Sequence, residues 1–409
     1  MKKLRVATRS FADFEIALAA QLDAYREKNP EIEVEAIRFD LRGLEKAVLG
    51  SNGFTGGGWD LAIFPTDWIG TGVATGALEC LTPWMQANPL PDWPNGWPDS
   101  LRRPLDRGRD FYCIPWHDGP ECLIYRRDLF ADPKERAAFV AHYGRDLAPP
   151  VTWAEFHDTA RFFTRPSQGL FGTIFAAYPD GHNTLYDLVL QVWSREGELY
   201  TTEGHPTMAD PKLIEALDFY RGIVNDPQAC YPGCTGIDSN QSGDLFLAGK
   251  IALMANWFGF AARCEQSDSP LRGKIGLAPI PGGRPGQTAT LSNYWVIGIG
   301  SRSRQKHASY DLLRHIASAP MDKQTALKGA VGVRLSTWND PEVREMVPIY
   351  GDLERLSAQA RTLPFCEDLP KLAEIVNTVT TEALGTNEAS EPILRRAQEL
   401  ALTRGLRLV

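Results

Sequence analysis

Over its first 64 residues the chain alternates short apolar runs with helically spaced apolar residues, and this alternation constrains its fold more than any other feature. Residues 4–8 read as a short buried strand, after which Phe14, Leu18, Leu22 and Tyr25 recur at helical spacing. Ser10 and Asp13 are the expected capping residues, and Asn29-Pro30 ends the helix. Ile32, Val34 and Ala36 then alternate with Glu31, Glu33 and Glu35, the pattern of a strand with one solvated face. A second helical stretch, a glycine-rich turn at 55–58 and an apolar strand at 61–64 follow. Strand and helix in strict succession define a βαβ series, hence an α/β fold with a mainly parallel sheet.

Further along, residues 83–110 are dense in Pro and Trp and read as irregular surface. Two strands, 111–115 and 122–125, flank the loop Trp116-His117-Asp118-Gly119-Pro120. Helices are expected at 152–163, 184–195, 211–224 and 242–247, strands at 251–254, 275–279 and 295–299, and a helical tail from about 306. At 409 residues the chain exceeds what one core usually supports. Neither repeat nor low-complexity linker separates its halves, so two lobes are expected, each built from discontinuous segments.

Composition removes several classes. The net charge is −8, with no Lys/Arg block to neutralise phosphates, which argues against nucleic acid. No run approaches the roughly 18 consecutive apolar residues of a membrane span. Arg5, Arg9 and Asp13 interrupt any apolar region behind Lys2 and Lys3, so no signal peptide reads at the N-terminus. Either an export signal was trimmed or the protein stays where it is made. The seven cysteines are scattered and lack zinc-ligand spacing, so neither metal nor organic cofactor is expected. Cys230-Tyr231-Pro232-Gly233-Cys234 could close a small loop in an oxidising compartment.

Seven fragments, in order along nearly the whole chain, carry a family resemblance: YREKNPEIEV at 25–34, WDLAIFPTDW at 59–68 with GALECLTP at 76–83, FYCIP at 111–115, LIYRRDLF at 123–130, PVTWAEF at 150–156, FLAGKIALM at 246–254 and IGLAPIP at 275–281. Together they resemble the extracellular sugar-binding proteins of bacterial ABC importers, the maltodextrin-binding type. The resemblance implies a two-lobed, periplasmic-binding-protein-like α/β fold with a ligand cleft between the lobes. It implies a monomer at the periplasm or cell surface that takes up a carbohydrate or polyol and delivers it to permease subunits. The expected lobes are residues 1–115 with 270–318, and 116–269 with 319–409. Around Leu369-Pro370-Lys371-Leu372 there is no aromatic where maltodextrin binders carry one, so a long glucan is not the expected ligand.

In parallel sheets ligands lie at the carboxyl ends of the strands. That rule selects Arg9, Ser10 and Phe11 after the first strand, and Thr66, Asp67 and Trp68 after the third. By resemblance Asp67 and Trp68 meet sugar hydroxyls; the alternative is that Asp67 caps the next helix and Trp68 packs at its start. In the crossover loop Trp116 offers a flat face and Asp118 an acceptor pair beside Gly119, while His117 reads more readily as structural. Asn256 with Trp257, and Asn293 with Tyr294 and Trp295, resemble places where the family presents an aromatic. The turn GAVGVR at 329–334 resembles one lining the cleft and ends on Arg334. A pyranose has an apolar C–H face and a hydroxyl rim, which such platforms and donors match.

Two alternatives stay open at this point. One is a cytosolic sugar-responsive protein of the same fold. The other is a carbohydrate-active enzyme using carboxylates such as Asp67, Asp118 or Glu121. No GxSxG, HExxH, P-loop or GxGxxG motif supports catalysis, and no catalytic residue is assigned.

Overall fold

The computed structural model of the protein describes residues 2–106, 108 and 110–408. The described strands are β1 (Lys2–Arg9), β2 (Ile32–Phe39), β3 (Leu61–Pro65), β4 (Cys113–His117), β5 (Glu121–Arg126), β6 (Leu253–Trp257), β7 (Ile275–Ala278), β8 (Thr290–Leu291), β9 (Trp295–Ile299) and β10 (Ala360–Arg361). The chain divides into two compact units. The first comprises Met1–Gly119, Ser292–Ala358 and Thr362–Glu367; the second comprises Pro120–Leu291, Gln359–Arg361 and Asp368–Val409.

The first unit is built on a five-stranded sheet of order β2-β1-β3-β9-β4. Strand β1 runs parallel to β2 and β3, and every residue of β3 is buried, as expected of a strand covered on both faces. Strand β2 lies at the edge; its Ile32 and Val34 face inward while Glu33 is exposed. The helix Ala12–Lys28 buries Phe14, Leu18, Leu22 and Tyr25, the positions its apolar spacing predicts. Its first turn has no side-chain cap, and the Ser10 hydroxyl donates instead to Glu15 (3.0 Å).

Strand β9 enters this sheet antiparallel to both β3 and β4. Trp295 therefore pairs with Pro65 on one side and with His117 on the other. The carboxyl ends of β1, β2, β3 and β4 and the start of β9 line one edge of the sheet.

The second unit holds the antiparallel sheet β6-β5-β7 and the short pair β10-β8, surrounded by helices. The helix Trp153–Phe163 starts on a capping box between Thr152 and Glu155, and the helix Pro211–Val224 on a cap from Asp210. The helix Asn183–Trp193 is buried almost throughout.

Three sequence expectations need correction. Residues 83–110 are not merely surface: they contain the helices Thr82–Ala87 and Asp99–Arg102 and bury Leu90, Trp97, Leu101 and Leu105. Positions 107 and 109 of that stretch lie outside the described residues. The strand expected at 251–254 is shifted toward the chain's end as β6, because the ladder with β5 runs from Leu253 to Trp257. The unit boundaries also differ. Residues 116–119 and most of 319–367 belong to the first unit, while 270–291 belong to the second. The reason is pairing: β7 adds to β5, whereas the helix Ala319–Leu327 packs on Ala12–Lys28 and Gln21 donates to Thr325 (2.9 Å).

Because β9 joins β3 to β4, its apolar face should carry much of the first unit's stability. Ile297 is fully buried, and Ile297→Ala should cost about 2–5 kcal/mol. A urea titration checks this; a midpoint unchanged within error would contradict the placement.

Candidate functional site

At the sheet edge of the first unit, Phe14 is the hub. Its ring meets Trp116 at 4.9 Å, His117 at 4.6 Å and Trp295 at 5.0 Å, all edge-on, and Phe11 meets it at 5.2 Å. The Arg9 guanidinium lies over Trp295 at 5.9 Å, within cation–π range. The Thr66 hydroxyl donates to the Asn293 side-chain oxygen (2.7 Å), and the Thr66 amide donates to the Tyr294 carbonyl (3.0 Å). Arg9, Ser10, Phe11, Asn293 and Trp295 keep exposed surface here, whereas Thr66 and Asp67 are buried in the short turn Thr66–Trp68 at the end of β3.

Other residues selected from the sequence have structural roles. Trp68 is 2% exposed and stacks parallel to Phe64 (6.4 Å), so it packs the core. Trp116 is likewise 2% exposed, and its indole N–H donates to Gln21 (3.0 Å), leaving no open face. His117 accepts the Val331 amide on Nδ1 (2.9 Å), and burial pushes its imidazole down to about 3, so it is a neutral structural histidine. Asp118 is buried beside Gly119 and accepts from the Ser292 hydroxyl (3.1 Å); burial raises it to about 6 despite the Gly119 amide and the Ser292 hydroxyl. It ties two loops together. Tyr294 is buried and donates to the Leu101 carbonyl (2.7 Å). Arg334 is also buried: it pairs with Asp92 (2.8 Å), donates to the Ala317 carbonyl (3.0 Å) and covers Trp97 at 4.1 Å. The Asp322 carboxylate accepts the Val333 and Arg334 amides (2.8 and 3.0 Å), which fixes the 329–334 turn.

The second unit carries its own aromatic and polar cluster. Trp257 ends β6 half-buried, and the Tyr186 ring meets it edge-on at 5.6 Å. Asn256 is 4% exposed. Its amide donates to the Ser242 hydroxyl (3.0 Å), while its oxygen accepts the Trp257 amide (2.8 Å). Asn256 therefore holds Trp257 in place and has no free rim of its own. Alongside, Asp180 accepts the His182 and Asn183 amides and the Asn183 side chain (2.8, 2.8 and 2.6 Å). His182 lies 3.1 Å from the Tyr186 hydroxyl, and Tyr178 in the same loop is 41% exposed.

Sequence reasoning missed Asp180, His182, Asn183 and Tyr186. A signal was present: Pro179-Asp180-Gly181 marks a turn, Gly181 adopts φ +82°, and the helix begins immediately after it. Among the described residues no group of three or more His, Cys, Asp or Glu is placed to hold a metal ion.

Each unit thus carries a half-buried tryptophan set among polar groups. A family model described as bacterial extracellular solute-binding protein matches residues 20–344. The chain belongs to that family. It is 26% identical over 262 residues to a probable ABC transporter-binding protein of Deinococcus radiodurans, which covers 63% of this chain and 59% of that protein's length. The fold matches the maltose-bound MalE3 of T. maritima at TM-score 0.86 and 21% identity, covering 99% of this chain and 100% of that one. It also matches a ribitol-bound ABC transporter solute-binding protein of Agrobacterium radiobacter K84 at TM-score 0.85 and 20% identity, covering 98% of both.

Behind Trp257, its ladder partner Glu121 is 4% exposed; burial, then Asp187, hold its carboxyl well above the ordinary range. Burial also drives Asp187 up to about 7, against donation from the Tyr220 hydroxyl (2.6 Å). The folded protein thus keeps protons on these carboxyls that the unfolded chain releases near pH 4. Between there and about pH 7 the folded state binds more protons, so this stabilisation falls as pH rises, by up to about 1.4 kcal/mol per pH unit for each proton. Asp187→Asn should flatten the decline in stability across that window. Urea titrations at a series of pH values check it; parallel slopes in variant and parent would contradict it.

Proposed function

We propose that this protein is the substrate-binding subunit of an ABC importer. In this reading it captures a sugar or sugar-like polyol outside the cytoplasm, at the periplasm or cell surface, and delivers it to membrane permease subunits. It carries out no chemistry on the solute. The carrying observation is the pair of half-buried tryptophans, Trp295 in the first unit and Trp257 in the second, each set among polar groups. Family membership supports the same reading, as do the maltose and ribitol held by proteins of this fold.

An indole face matches the apolar C–H face of a pyranose or the carbon chain of a polyol. Arg9, Asp67 and Asn293 on one unit, and Asp180 and His182 on the other, supply donors and acceptors for hydroxyls. A micromolar Kd requires only about −8 kcal/mol. One tryptophan platform burying ~150–250 Å² contributes at most roughly 4–6 kcal/mol, before the costs of association. Both platforms together with a few hydrogen bonds therefore suffice. A solute that touches both units binds best when they close on it, and so shifts the population toward the closed form that the permease would read.

Thermal shift against maltose, short maltodextrins, ribitol, mannitol and common monosaccharides should give at least one solute that raises the melting temperature, because a ligand of the native state stabilises it. A panel with no hit among sugars and polyols would contradict the assignment of solute class.

With that solute, Trp257→Ala and Trp295→Ala should each lose at least about tenfold in affinity, or roughly 1.4 kcal/mol. Asp67→Ala should lose about ten- to a hundredfold, the worth of a charge-assisted hydrogen bond of roughly 1.5–3 kcal/mol. Calorimetry on variants with unchanged melting in the absence of solute decides it. Affinity within threefold of the parent in all three would move the site elsewhere.

A further inference from the structure

We propose that Cys230 and Cys234 form a dithiol–disulfide site in the second unit, closed by exchange with a small-molecule disulfide while the chain folds. Their sulfurs already touch, at 3.3 Å, so bond formation needs roughly 1.2 Å of further approach. The backbone is shaped for it. Pro232-Gly233 turns the chain between the two cysteines, and Gly233 adopts φ +81°, the left-handed corner a tight turn requires. Cys230 is anchored by its amide to the Asp226 carbonyl (2.9 Å) and by a bridge to Thr173. Asp226 is itself held by His157 and Arg161, both at 2.7 Å. On the other side, Cys234 points its sulfur at the Tyr231 carbonyl (3.0 Å). The framework thus presents two thiols at contact distance before any oxidant arrives.

Within the pair the proton is shared unequally. Hydrogen bonding from Cys230 lowers the Cys234 thiol, and the same interaction raises Cys230. Either thiol can open the exchange, and Cys234 serves as the attacking sulfur in the step that follows. Its thiolate displaces one thiolate from glutathione disulfide and forms a mixed disulfide. Cys230 then attacks the Cys234 sulfur and expels the second glutathione thiolate. The two cysteine protons end on the two released glutathione molecules, and two electrons pass from the protein to the oxidant. Both cysteines are buried, at 1% and 3% exposure, so exchange precedes docking of the loop, or occurs when it opens, and the finished disulfide is shielded from reductant.

The site can be tested on the full chain without knowledge of the solute. The protein is unfolded in reductant, refolded in glutathione buffers of graded reduced-to-oxidised ratio, quenched with acid, unfolded and alkylated. Intact mass then counts the thiols, and peptide mapping locates those lost. Seven alkylated cysteines are expected in the most reducing buffer, since the chain has seven. Five are expected in oxidising buffers, with Cys230 and Cys234 joined in one peptide. Cys234→Ser should stop at six alkylated cysteines even where the parent loses two. Seven alkylated thiols in the parent at every ratio, a glutathione adduct that never resolves, or a lost pair mapping to other cysteines would overturn the proposal.

Discussion

The first unit depends on one strand pairing. Strand β9 arrives late in the chain and slots antiparallel between β3 and β4. Its ladder bonds fix more than a sheet, because the three residues before it are drawn to the sheet edge. There Ser292 reaches Asp118, Asn293 reaches Thr66 and Tyr294 reaches Leu101. Trp295 is set against Phe14, on the helix that follows β1. A long-range backbone pairing of this kind is costly in chain entropy, and burial of the strand offsets that cost: Val296, Ile297 and Ile299 are fully buried. The candidate surface of this unit is thus the outer rim of a pairing that exists for stability.

This arrangement explains why some aromatics are available and others are not. Trp68, Trp116 and Tyr294 are buried where Trp295 keeps exposed surface, and their polar atoms or faces are engaged within the unit. A buried indole N–H needs a partner, and Gln21 supplies it for Trp116. The second unit repeats the logic with different parts. Asn256 is sacrificed to hold Trp257, and Asp180 organises the turn that starts the helix beneath Tyr186.

Much of the fold was legible in the sequence. The βαβ opening, the apolar strand β3 and the helix Pro211–Val224 follow from periodicity and capping alone. The carboxyl-end rule placed Arg9, Ser10 and Phe11 after β1 and Thr66 and Asp67 after β3, but not the burial of Thr66 and Asp67. Depth is what a single sequence could not give. Nothing in the text of the chain separates Trp116 from Trp295, since burial is decided by long-range packing around Phe14. The same holds for Arg334, whose partner Asp92 lies in the Pro- and Trp-rich stretch that reads as surface. The Asp180–Tyr186 cluster rests on a Pro-Asp-Gly turn, and such a turn carries no sign in sequence of the Trp257 ring that its helix will face.

We propose that one solute engages both units and that binding draws them together. Small-angle scattering on the full chain, with and without a saturating solute whose binding is established by calorimetry, tests that most directly. A smaller radius of gyration and a shorter maximum dimension are expected in the bound state, with the change in Trp257→Ala displaced to at least about tenfold higher solute concentration. Superimposable scattering curves at proven saturation would contradict it.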